Sequence, residues 1–256
     1  MSGRTAFAGR KRDTSGNSRI LQLQMPTAFP PGRRDAVRPF LSDAIIAINR
    51  QAGDRVRMTR PAPNPHVLPS VAAVRAAADR LRGVLEPSRL IRANALSDTF
   101  GVDVFYKCEF ENPTGSFKVR GAYNVLASMT PEARTKGVVA SSAGNHGLGV
   151  AYAAHAFGVP AMLYVPSTAP QVKKDGIRAL GATVDDSEPD YDAAMVVAKM
   201  HGERHGIRFI NPCVGIDLLA GQGTVALELL EQCPDVATVV ICTGGGGLLG
   251  GMGVVL

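Results

Sequence analysis

Tryptophan is absent from this 256-residue chain, and cysteine is scarce at four residues. Cys108, Cys213, Cys233 and Cys242 form no CxxC pair. The ligand spacing of a zinc site is therefore missing, no metal centre is expected, and a reducing compartment fits, with the cytoplasm as the expected location. A secretory hydrophobic run is also lacking. Acidic residues are missing from the first twelve positions, which carry arginine. That is compatible with an organelle transit peptide, but Asp13 and the want of an amphipathic helix count against one. Charge is missing altogether from Ala237 to Leu256, a stretch of twenty residues, long enough to cross a bilayer. Seven of those residues are glycine, four of them consecutive, which makes a poor helix in any solvent, and no membrane partner is expected.

The net charge of +6 suggests nucleic acid until its distribution is inspected. Up to Pro65 there are twelve Lys and Arg against four Asp and Glu, a balance of +8; the remainder carries sixteen against eighteen, or −2. The basic character belongs to the leader, so no nucleic-acid partner is expected of the globular part. Residues 1–66 are rich in Arg, Ser, Gly and Pro, with little apolar periodicity beyond a short patch near Leu41–Ile48. Disorder is their expected state.

After Val67, short apolar runs alternate with longer helical patterns. GVVASS, VPAMLYVP, ATVDD, IRFINP and ATVVICT are expected strands, the last a continuous buried one. GLGVAYAAHAFG, QVKKDGIRALG, YDAAMVVAKMHGERHG and DLLAGQGTVALELLEQ are expected helices. Strands alternating with helices of ten or more residues indicate βαβ units and a parallel sheet covered on both faces. In such sheets ligands bind at the carboxyl ends of strands, in the loops that lead into helices. Three of those loops carry unusual chemistry: NPTGSFK, SSAGNHG and TGGGGLLGG.

In the first, the β-branched and aromatic run Val102–Phe110 is an expected strand, Asn112–Gly115 supplies turn chemistry, and Ser116 can cap the helix that follows. Lys118 then sits in the first helical turn, where the macrodipole disfavours a cation by up to about 1 kcal/mol. It is either a surface lysine that tolerates the field or a site that wants an unprotonated amine able to attack an aldehyde. In the third loop, Gly244, Gly245, Gly246 and Gly247 follow a strand and precede an apolar helix start. Their amides can cradle a phosphate without Cβ obstruction. No GK[ST] follows, and the loop opens the last βα unit rather than the first, so neither a P-loop nor a dinucleotide fingerprint fits. In the second loop, Ser142, Ala143 and Gly144 with the first-turn amides suit a carboxylate, and Asn145 can donate to a phenolate oxygen. His146 alone would serve equally as a core or capping residue. An amine, a phosphate cradle and a carboxylate site with an amide donor are together satisfied by pyridoxal 5′-phosphate and an amino-acid substrate.

At this point the chain resembles the serine/threonine dehydratase family of pyridoxal-phosphate enzymes, within the fold type II (tryptophan synthase β-like) superfamily that also includes serine racemase. PTGSFKVRGA, SSAGNHG, VPSTAPQVKKDGIRALGA, AGQGTVALELLEQ and TGGGGLLGG carry the resemblance, which covers roughly Val67 to the end. It implies a two-domain α/β architecture, with a large cofactor-binding domain over 67–133 and 212–256 and a small α/β domain over 134–211. By the same resemblance Lys118 is the Schiff-base lysine and Phe117 packs against the pyridine ring. Asn145 meets the cofactor's 3′ oxygen, Gly244–Gly247 hold its phosphate, and Ser142, Ala143, Gly144 and His146 form the substrate carboxylate site. The implied reaction is deamination of L-threonine or L-serine to a 2-oxo acid and ammonia, with Lys118 as general base. The dipole at Lys118 then favours the neutral, nucleophilic amine.

Racemases of the family place a second serine after the one matching Ser142; here that position is Ala143, which cannot transfer a proton and points to deamination. Other departures are Pro87-Ser88-Arg89-Leu90 in place of Thr-Pro-Leu, and Leu148 in place of glutamine. The family's large domain continues beyond the position of Leu256, which leads to the expectation of an incomplete large domain, a strand Ala237–Cys242 short of a neighbour, and a homodimer only if complete. A non-catalytic remnant and a racemase remain the alternative readings.

Overall fold

The structure, a computed structural model, describes residues 45–49 and 68–256. Within the span expected to be a disordered leader it differs at one place: Ile45–Asn49 forms strand β1. IIAIN is a β-branched run of the kind that favours a strand, a signal hidden when composition is averaged over the whole leader. The rest of that leader lies outside the described residues.

Two four-stranded sheets organise the described residues. The first has the order β2-β3-β1-β8, with β2 at Leu90–Arg92, β3 at Val104–Lys107 and β8 at Val236–Val240. Its neighbours all pair antiparallel, β1 lying between β3 and β8. The second has the order β6-β5-β4-β7, with β4 at Val138–Ser141, β5 at Ala161–Tyr164, β6 at Thr183–Asp185 and β7 at Arg208–Phe209. It is the expected parallel sheet. β4 is buried along its whole length, as VVAS with both faces covered requires. The run ATVVICT behaves differently: Ala237 and Thr238 are exposed, so the expected continuous burial does not hold, and among the described residues the strand pairs with β1 on one side and forms the sheet edge on the other.

Helices connect these strands. In order they are α1 (Val71–Leu81), α2 (Asn94–Phe100), α3 (Lys118–Ser128), α4 (Pro131–Thr135), α5 (Asn145–Phe157), α6 (Gln171–Ala179), α7 (Tyr191–His205), α8 (Ile216–Gln232) and α9 (Gly247–Gly253). Local chemistry explains their ends. The Asp190 carboxylate accepts from the Ala193 amide at 2.9 Å to start α7, and Gly158 and Gly206 close α5 and α7 in the left-handed conformation. Ala122, Val125 and Leu126 of α3 join Val150, Ala151 and Ala154 of α5 and the strand residues Val138, Ala140 and Leu163 in one core. Each fully buried leucine or valine there contributes roughly 1.5–3 kcal/mol. That core ties the start of α3 to the parallel sheet.

Small residues set how closely the helices approach. A Cβ on Gly149 of α5 would lie 3.1 Å from the Lys118 carbonyl carbon and the Val119 nitrogen, so the second turn of α5 rests on the backbone that opens α3. On the other side, a Cβ on Gly221 of α8 would lie 2.5 Å from the Arg120 oxygen and 2.6 Å from the Gly121 Cα. The first turn of α3 is thus held between two helices at backbone contact.

Candidate active site

The chain reaches α3 through a single 3-10 turn, Glu109–Glu111, and the tight turn Asn112–Gly115, where Gly115 has φ 71° and its amide donates to the Asn112 oxygen at 2.7 Å. β3 is shorter than the expected strand because Glu109 and Asn112 close this turn around a buried carboxylate, with the Asn112 amide donating to Glu109 Oε2 at 2.8 Å. Ser116 Oγ accepts from the Lys118 amide at 3.3 Å, but from one residue before the N-cap position, which Phe117 occupies without a side-chain cap bond. Lys118 is the first residue of α3 and is half-buried; its Nζ donates to the Pro212 carbonyl at 2.8 Å and lies 5.3 Å from the centre of the Phe117 ring. Phe117 itself packs with Val225, Leu248 and Met252.

SSAGNHG opens α5. Ser141 ends β4 fully buried, and Ser142 Oγ accepts from the Gly144 amide at 3.1 Å, which folds the loop back on itself. A Cβ on Gly147 would fall 2.1 Å from the Ser142 carbonyl oxygen, so only glycine permits that fold. Ala143 and Gly144 are half-buried and Asn145 is exposed at the helix start. His146 is 3% exposed, and its Nε2 lies 3.0 Å from the Ile210 carbonyl. A carbonyl only accepts, so Nε2 carries the hydrogen and Nδ1 is left as a bare acceptor. Burial, with the positive charge of Lys118 adding to it against the Ile210 bond, lowers the imidazole pKa to about 4. The ring is neutral at pH 7.

The glycine loop opens α9. Gly244 and Gly245 are exposed, Gly246 has φ 79°, and Gly247 is buried. A Cβ on Gly245 would lie 2.2 Å from Cys213 Sγ, and one on Gly247 3.0 Å from the Cys213 oxygen. The glycines therefore lie against the segment Ile210–Cys213, the same segment that receives His146 and Lys118. This strap, between β7 and α8, was not among the loops singled out from sequence. It is itself a strand-to-helix loop at a carboxyl strand end, so the same rule could have flagged it. Asn211 Oδ1 shapes it by accepting from the amides of Cys213 and Val214 at 2.9 and 3.0 Å.

The three loops expected to surround a ligand thus converge through a fourth. Thr114 Oγ1, Ser141 Oγ and His146 Nδ1, all buried and all in the first two loops, have no hydrogen-bond partner among the described residues. Buried polar atoms are normally satisfied, so orphaned atoms in two of these loops suit a polar guest. An amine, orphaned polar atoms and a glycine surface without Cβ atoms are what an aldehyde-bearing phosphate compound requires.

Fold and contacts together bring the Lys118 amine and the Gly244–Gly247 loop to one strap at the strand ends of an α/β protein. The chain belongs to the pyridoxal-phosphate dependent enzymes, whose family model matches residues 81–256. Over 176 residues it is 43% identical to an L-threonine ammonia-lyase of Thermotoga maritima, an alignment covering 69% of this chain and 44% of that protein. Over 188 residues it is 39% identical to human serine racemase, covering 72% of this chain and 55% of the racemase. The solved structure of maize serine racemase superposes with a TM-score of 0.68 at 32% identity, covering 73% of this chain and 57% of that one. The chain spans about half the length of the curated relatives it matches. No helix among the described residues is long and apolar enough to cross a membrane.

Proposed function

We propose that the protein deaminates L-threonine, L-serine or both, giving a 2-oxo acid and ammonia. The observation that carries this reading is the convergence of Lys118 and the Gly244–Gly247 loop on the Ile210–Cys213 strap. When bound, pyridoxal phosphate supplies the electron sink that makes the α-proton of an amino acid acidic. The chain's own residues do the rest. Lys118 would hold the cofactor and act as the base for the α-proton, the amides of Gly244–Gly247 would hold its phosphate, and Phe117 and Asn145 would meet its ring and 3′ oxygen. Ser142, Ala143, Gly144 and His146 present the opening of α5 to the substrate carboxylate, where backbone amides and the helix dipole favour an anion. His146 is neutral and adds no charge there. We assign the large domain to 67–133 and 212–256 and the small one to 134–211, supported by the division of the strands from Leu90 onward between two sheets.

Racemisation of serine is a second reading, favoured by the 39% identity to human serine racemase. Ala143 weighs against it, because a methyl group cannot return a proton to the face opposite Lys118. The two separate in one experiment on the full chain with pyridoxal phosphate: 2-oxo acid release from L-serine and L-threonine, with chiral analysis of the remaining serine. Release that disappears in Lys118→Ala supports deamination. Inversion without release overturns it, and the absence of both identifies a non-catalytic chain. Ala143→Ser is expected to raise the ratio of inversion to release.

A further inference from the structure

We infer that Arg120 is a positioning residue for Lys118, acting through a buried four-charge clamp that fixes where the first turn of α3 sits. The inference rests on Lys118 being the residue that captures the cofactor.

Arg120 is 1% exposed and stands two residues beyond Lys118. All five of its N–H donors are placed. Nε and one Nη donate to the two oxygens of Glu109 at 2.7 and 2.9 Å; that same Nη reaches Glu228 Oε2 at 3.0 Å; the other Nη donates to Glu228 Oε1 at 2.5 Å and to Thr224 Oγ1 at 3.2 Å. Lys107, fully buried, completes the set by donating to Glu228 Oε2 and to the Ser88 carbonyl, both at 2.6 Å. The Ser88 hydroxyl donates to Glu109 Oε1 at 2.6 Å, and Asn112 donates to Glu109 Oε2. Two cations meet two carboxylates, so the cluster is neutral as a whole.

Its placement is specific. Glu109 and Asn112 stand at the entrance of the turn that delivers Lys118, and Arg120 stands at its exit. The clamp therefore closes that turn at both ends and fastens it to Glu228 on α8. The packing beside it sets how closely the helices approach. α3 and α8 meet at backbone contact through Gly121 and Gly221, with the Gln222 side chain lying against Gly121. Gln222 lies in the same contact with both amide atoms unpartnered, so it provides no polar latch. Among the described residues the Asn124 amide also joins α3 to α8, donating to the Asp217 oxygen at 2.7 Å, but farther along the helix. The hydrogen bonds that join the first turn of α3 to α8 are those of Arg120.

Stability alone is a weak reason for such a cluster. Desolvating four charges is costly, and apolar replacements of similar volume are often at least as stable. A guanidinium fork that engages two carboxylates from fixed directions defines position as well as energy. Lysine at 120 would keep the charge but offer three donors, not five, and no planar fork.

The test uses the full chain as wild type, Arg120→Lys, Glu228→Gln and Val139→Ala, the last a destabilising control remote from the clamp. Circular dichroism and melting establish the fold. Borohydride-quenched time courses with pyridoxal phosphate, read by mass at Lys118, give the capture rate. Hydrogen exchange without cofactor reports the amides of residues 115–119. Both clamp variants should slow capture at least tenfold and speed exchange of those amides at least tenfold, while Val139→Ala captures at the wild-type rate despite a lower melting temperature. If Arg120→Lys does not fold, Glu228→Gln decides, since its carboxylate is 16% exposed and the substitution keeps its shape. Clamp variants that capture at the wild-type rate, or whose slowing only matches that of Val139→Ala, overturn the positioning role. A wild type that captures nothing at Lys118 overturns the Lys118 reading and the clamp with it.

Discussion

Substituting alanine for Gly245 tests whether the strap and the glycine loop form one cradle. The added Cβ would stand 2.2 Å from Cys213 Sγ and 2.9 Å from Cys213 Cβ, whereas ordinary contact begins at 3.4 Å. Turning the thiol could relieve the first contact but not the second, because Cβ moves only with its backbone. That backbone is held, the Cys213 amide by Asn211 at 2.9 Å and the preceding carbonyl by Lys118 at 2.8 Å. The loop must therefore retreat by about half an ångström even in the best case, a degree of overpacking that costs ~1–3 kcal/mol. If that cost falls on the ligand-bound state, pyridoxal phosphate binds roughly five- to 150-fold more weakly. The double variant Gly245→Ala/Cys213→Gly removes both offending atoms and should bind within a few-fold of wild type, a coupling of about 0.5–3 kcal/mol. Absorbance or fluorescence titration of the full chain reads the affinity, and parallel melts separate binding from folding. Unchanged affinity in Gly245→Ala, or a double variant no better than the single one, would refute the idea that Cys213 forms the floor of the loop.

Two further outcomes are expected. His146 has its pKa lowered from 6.5 to about 4, so below pH 6.5 the unfolded chain binds a proton that the folded chain refuses. Its contribution to stability is then complete above pH 6.5, falls as the pH drops, and is exhausted near pH 4, a loss of ~3 kcal/mol overall. His146→Gln keeps a donor for Ile210 without titrating, and denaturant unfolding at a series of pH values should show a flatter acid limb; an unchanged limb would contradict the neutral, buried ring. Gly221→Ala must push α8 off α3 by about 0.9 Å, the gap between 2.5 Å and ordinary contact at 3.4 Å. An overpacking cost of ~2 kcal/mol corresponds to a melting temperature about 4–8 °C lower, and a variant that melts with wild type would show that the helices are not at backbone contact.

What was legible in the sequence divides along physical lines. Periodicity and turn chemistry are local, and the elements between Val138 and Gln232 follow the expected order, with Gly158 and Gly206 ending α5 and α7 where αL glycines belong. The positions of Lys118, Ser142 and Gly244–Gly247 at strand-to-helix junctions were legible for the same reason. Less was visible where a decision depends on distant chain. ATVVICT has the composition of a buried strand, yet its exposure depends on which strands cover it, and β1 lies about 190 residues earlier. The ion cluster was invisible too: Glu109 and Arg120 are eleven residues apart, but Glu228 is 108 residues from Arg120, and nothing local distinguishes it from a solvated glutamate on a helix.

The strap is the harder case, and it shows why convergence escapes a residue-by-residue reading. Ile210 and Pro212 act through carbonyl oxygens, which every residue possesses, so their identities advertise nothing. What selects them is geometry: β7 runs parallel to β4, which delivers their loop to the same sheet end as SSAGNHG. Proline also suits the position, since it donates no amide hydrogen and leaves only a carbonyl to offer Lys118. Sulfur at 213 has a similar indirect logic, because only the absence of a Cβ at Gly245 lets it lie so close beneath the loop. The chemistry-bearing side chains could thus be found from their types, while the backbone that gathers them is marked by loop position and strand order rather than by residue type. A site assembled in this way should be more sensitive to changes in backbone register than to side-chain changes at 210 or 212 that leave the carbonyls in place.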